Sequence, residues 1–89
     1  MAKRFIIKIK TGDKFVYLAQ HSQNVTQMTM AIDAARLYKG EGLANETLRF
    51  KKKDIIKEAS EFFDLNPWET DRLIIQIIPV RVEVYAESI

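Results

Sequence analysis

The chain has 89 residues, 47% of them apolar and 29% charged, with a formal net charge of +2, no cysteine and one histidine. This is enough for one domain, spanning residues 1–89, and its composition is that of a globular chain rather than a disordered one. The lack of thiols and of a second imidazole excludes a disulfide scaffold and a structural zinc site, so a reducing cytoplasm is the expected setting.

Charge is unevenly spread. Residues 1–53 hold eleven Lys and Arg against four Asp and Glu, and residues 54–89 hold three against eight. In so short a chain the two halves must pack together, so internal neutralisation is expected before a polyanionic partner. The opening apolar run, Phe5-Ile6-Ile7, is too short for a signal-peptide core. Leu73 to Val80 is interrupted by Gln76 and Pro79 and is too short for a membrane helix.

Phe5, Ile7 and Ile9 alternate with Arg4, Lys8 and Lys10, the period of a half-buried strand. Ile6 breaks the alternation and implies partial cover on the second face. Gly12-Asp13 supplies a hairpin turn into a second strand, Phe15–Ala19. His21 to Asn24 reads as a loop. Val25 to Met30 reads as a third strand, with Met28, Met30 and Ile32 on one face; methionine leaves a helix open there. Asp33 is expected to cap a short helical turn, Ala34–Tyr38, which Gly40 and Gly42 end. Leu43, Ala44, Thr47 and Leu48 form the stripe of a helix reaching about Arg49, and Ile55, Ile56, Ala59, Phe62 and Phe63 that of a helix over Lys53–Phe63. The two can also be one bent helix. Asn66-Pro67-Trp68-Glu69 has the form of a capping box with Pro at the first position. The last strand runs from Leu73 towards Tyr85, with Pro79 marking a bulge, a bend or an unpaired edge.

The expected fold is α+β: an antiparallel or mixed sheet of three to four strands in the order β-β-(β)-α-α-β, with the helices on one face and the first strand beside the last. The strand and turn near Phe5–Val16, then Ile32-Asp33-Ala34-Ala35-Arg36-Leu37-Tyr38, a helix with Leu43-Ala44 and a closing strand Ile75–Val84 resemble small uncharacterised proteins of Gram-positive phages and prophages. That resemblance spans most of the chain and uses only structural residues. It implies a viral or mobile-element accessory protein in the host cytoplasm, and no active site.

Enzymatic constellations are hard to assemble. His21 has no partner to orient it as a base. Asp54, Glu58 and Glu61 share one helix face, with Asp64, Glu69 and Asp71 nearby, but Lys53 and Lys57 occupy the same surface. Gly40-Glu41-Gly42 lacks the remainder of a dinucleotide or phosphate loop. No catalytic residue, metal or cofactor is expected.

Two binding readings remain. Lys8, Lys10 and Lys14 on the hairpin and Arg49, Lys51, Lys52 and Lys53 around Phe50 form a candidate nucleic-acid patch, its alternative being a solvated helix junction with Phe50 in the core. Met28, Met30, Phe62, Phe63 and Trp68 can line a groove for a partner. Apolar residues exceed what one helix layer on a sheet can cover, Ile6, Ile74, Ile78 and Phe63 among them. A homodimer or another protein partner is therefore expected, with Ile74, Ile78, Val80, Val82 and Val84 of the last strand as the interface.

Overall fold

The computed structural model describes residues 2–19 and 26–82. Four strands, β1 (Ala2–Thr11), β2 (Lys14–Leu18), β3 (Met28–Thr29) and β4 (Ile74–Val82), form one sheet in the order β3-β2-β1-β4. Each neighbouring pair is antiparallel. One long helix, α1 (Glu41–Phe62), lies on one face. The class is α+β, and the first strand does lie beside the last.

The β1–β2 hairpin closes at the Thr11–Lys14 pair. Gly12 has φ of 60°, which an L side chain adopts only at a cost, and opens the two-residue loop as in a type II′ turn. Register then fixes the faces. Ile7 and Ile9 of β1, Val16 and Leu18 of β2, and Ile75 and Ile77 of β4 pack against Ala44, Leu48, Ile55 and Ala59 of α1. Arg4, Ile6, Lys8 and Lys10 face the other way, since successive side chains of a strand alternate.

The helix is continuous rather than two separate elements, with one non-helical residue inside it, Lys51 (φ −117°, ψ 15°). This is the bent form of the two expected helices. Gly40-Glu41-Gly42 starts α1 rather than ending a helix: Gly40 is its N-cap residue. At the other end Leu65 N–H donates to the Ser60 carbonyl and Asp64 N–H to that of Glu61. With Asp64 at φ of 55°, these bonds form a Schellman ending.

Residues 31–38 correct the expected helical turn. A 3-10 turn covers only Ile32–Ala34, its cap position is Ala31 rather than Asp33, and Ala35 is already extended. Beyond it the chain joins the sheet. Arg36 N–H donates to the Leu18 carbonyl, and Phe5 and Tyr38 exchange two backbone bonds of 2.8 Å. The physical reason is that β2 is half the length of β1. It leaves the N-terminal half of β1 without partners on that side, and residues 35–38 fill the gap.

Among the described residues the third strand covers Met28–Thr29; Val25, where the expected strand begins, lies outside them. Asn66 and Glu69 form the capping box: the Asn66 amide N–H and side-chain Nδ2 both donate to Glu69 Oε1, at 3.1 and 2.8 Å. It opens a 3-10 turn, Pro67–Arg72. No helix among the described residues is long and apolar enough to cross a membrane.

Candidate interaction surfaces

Among the described residues β4 is an outer strand of the sheet, bonded along its length to β1 alone. The direction of its backbone groups follows from the register. Phe5 spends its N–H and carbonyl on Tyr38, so the opposing pair Phe5–Pro79 makes no ladder bonds. The alternation of an antiparallel pair then assigns the even residues of β4, from Ile74 to Val82, to β1, and turns Ile75, Ile77, Pro79 and Arg81 outwards. Pro79 therefore sits where its missing N–H costs no ladder bond, and the strand is neither bulged nor interrupted there. The outer edge still offers the N–H groups of Ile75, Ile77 and Arg81.

The expected interface residues Ile74, Ile78, Val80 and Val82 share the sheet face turned away from α1; Val84 lies outside the described residues. On that face Ile6 is fully buried in a small second cluster with Tyr17 and Ala35, flanked by Ile78 and Val80. Ile74 is half exposed. Apolar surplus thus persists, although Ile6 finds cover.

The same face carries Arg4, Lys8 and Lys10. Across all four strands the cations are Lys3, Arg4, Lys8, Lys10, Lys14 and Arg81, with no Asp or Glu. Lys8 places its ammonium 4.5 Å from the centre of the Phe15 ring, a cation–π contact.

A second surface lies at the hairpin end. Phe15, Met30, Phe62 and Phe63 line an apolar groove of about 380 Å³, with Asp13 and Lys14 at its rim. Three of the five residues expected in a partner groove are there. Met28 instead packs on the main core, and Trp68 lies apart, largely exposed on the turn before β4.

The basic run of α1 does not form one patch. Arg49 and Lys52 border a hollow with Leu48 and Ile75, Lys53 one with Ile56 and Ser60, and Lys51 one with Phe50. Lys8 and Lys10 stand across the sheet from all of them, and Lys14 borders the hairpin groove with Phe62 and Phe63 instead. Phe50 is not in the core either: 74% of its surface is exposed. It lines a groove of about 410 Å³ between α1 and residues 36–39, whose rim adds Arg36 and Lys39 to Lys51. Sequence reasoning missed both, because their approach to the helix depends on the extended path of residues 35–38.

His21 lies outside the described residues. Among those described, no three His, Asp or Glu side chains converge as a metal site would require. The buried hydroxyls of Tyr38 and Ser60 have no hydrogen-bond partner among the described residues. Compared with protein-family models, curated proteins and solved structures, the chain matches none.

Proposed function

We propose that this chain is a non-enzymatic interaction module that self-associates through β4, continuing its sheet into that of a second copy. The observation that carries this is the nine-residue outer strand with bonding groups turned outwards at Ile75, Ile77 and Arg81. Such an edge is a template for another strand unless something covers it. Pro79 restricts the register. A two-fold axis at Gln76 sets Ile75 opposite the partner's Ile77 and gives four backbone bonds without using Pro79. It also sets Pro79 opposite the partner's Leu73, whose N–H is already donated to the Thr70 carbonyl in each copy. The exposed Ile74 lies beside this axis and adds apolar contact. The resemblance to phage proteins extends the proposal to an accessory protein acting by contact in a host cytoplasm.

Sedimentation velocity up to about 100 μM tests it, a range suited to the weak association that a small interface gives. The parent chain should dimerise. Ile75→Pro deletes one outward N–H and leaves the β1 ladder bonds of the even residues in place, at the cost of part of a core contact with α1; circular dichroism checks that it folds, and it should be monomeric. Ile75→Val keeps the N–H and should still dimerise. A monomeric parent would overturn the proposal, as would a dimer indifferent to Ile75→Pro but lost in Phe62→Ser, which would move association to the hairpin groove.

A further inference from the structure

The groove beside Phe50 carries an inference separate from self-association. A phenyl ring left 74% exposed in the middle of a helix forgoes the burial that would stabilise it. Its surroundings are not those of a stray surface residue. The Arg49 guanidinium lies 5.9 Å from the ring centre. Lys39 and Lys51 border the same groove, and Glu46 is the one carboxylate among the described residues that lines it. Leu37 and Leu43, both exposed, complete an apolar floor. The departure from helical geometry at Lys51 falls beside the ring, where the lysine borders the groove with it.

We propose that this groove binds single-stranded nucleic acid, with one unpaired base stacked on Phe50 and the flanking phosphates neutralised by Lys39 and Lys51, which border it. Cations alone would suit an acidic peptide equally well. The ring decides for a nucleic acid, because every base offers a flat face and stacking of this kind tolerates any sequence. It decides for a single strand, because a duplex keeps its base faces stacked on one another. Arg36 borders the groove from the opposite wall, its guanidinium 5.4 Å from the Tyr38 ring centre, and adds to the positive field.

Fluorescence anisotropy of a labelled oligothymidine of about 15 nucleotides, at about 50 mM salt, tests the inference. The chain should bind, with affinity falling as salt is raised. Phe50→Leu keeps an exposed apolar helix residue and loses the ring; it should weaken binding about fivefold to a hundredfold. The double variant Lys39→Glu, Lys51→Glu should weaken binding tenfold or more and flatten the salt dependence. Lys10→Glu, on the far face of the sheet, should change little, and circular dichroism should show all variants folded. Absence of binding to the oligonucleotide overturns the proposal. So does equal affinity for a duplex or for polyglutamate, or a Phe50→Leu chain that binds like the parent. Ile75→Pro should leave oligonucleotide binding in place, which keeps this result distinct from the test of self-association.

Discussion

Tyr38 gives a test in which the sign of the effect is diagnostic. Its ring is buried in the main cluster and its hydroxyl has no hydrogen-bond partner among the described residues. The ring is held by its packing in that cluster, and the backbone that carries it is tied to Phe5 by two bonds. Burying a hydroxyl without a partner costs about 1–3 kcal/mol on mutational scales. Tyr38→Phe removes that cost and forfeits a few dispersion contacts of one oxygen atom, about 0.5 kcal/mol in all. The net expectation is a gain of about 1 kcal/mol. A chain of this size has a total stability of about 4–13 kcal/mol, so the change is readily measured. In urea unfolding followed by circular dichroism the midpoint should rise with an unchanged slope, and Tm should rise by about 4–8 °C. Most buried Tyr→Phe changes go the other way. A loss of stability in Tyr38→Phe would refute the reasoning, since it would mean that the hydroxyl is bonded in the folded chain. Tyr38→Leu serves as the control: it also removes the hydroxyl but leaves part of the ring volume empty, and should destabilise by about 2–4 kcal/mol.

Ser60 is the second buried hydroxyl without a partner, and it lies inside α1. Ser60→Ala should stabilise by about 1–2 kcal/mol in calorimetry, combining relief of that group with the better helix propensity of alanine. Pro79→Val restores an outward N–H on β4 and should strengthen concentration-dependent association in sedimentation; identical profiles for the two chains would contradict the assigned ladder alternation.

The parts of the fold legible in the sequence are those whose signals are local. Alternation in Phe5–Ile9 and the Gly12-Asp13 turn specify the hairpin, and Asn66 and Glu69 specify their own cap. Of the two apolar stripes of α1, Ala44, Leu48, Ile55, Ala59 and Phe63 do pack on the core, whereas Leu43 and Phe62 stay exposed; the bend falls at Lys51 between the stripes. What escaped the sequence depends on distant strands. Ala35–Tyr38 has helical character by composition, yet it runs extended because the backbone of Phe5, some thirty residues earlier, needs a partner. Among the described residues of the run read as strand, Met28–Thr29 pairs with β2, and Gln27 accepts a further bond from Ala19 N–H. The surfaces failed for a related reason. Arg49 to Lys53 are adjacent in sequence, but each step along a helix turns about 100°, so neighbours diverge around the axis. Phe50 looked like core material and proved to be a surface ring, while Arg36 and Lys39 reach it only through the fold.

The uneven placement of charge along the strands has a consequence for the chain before it folds. Were nascent copies to stack β1 or β2 in register, lysines would repeat along the fibril axis at about 4.8 Å spacing and repel one another. The stretch Ile74-Ile75-Gln76-Ile77-Ile78 has no such protection, being uncharged and strongly β-forming. Its guards are the flanking Arg72 and Arg81 and the ring of Pro79, which cannot join a cross-β ladder on both sides. The residue whose missing N–H costs the finished sheet no ladder bond thus also interrupts the most strongly β-forming segment before the chain folds.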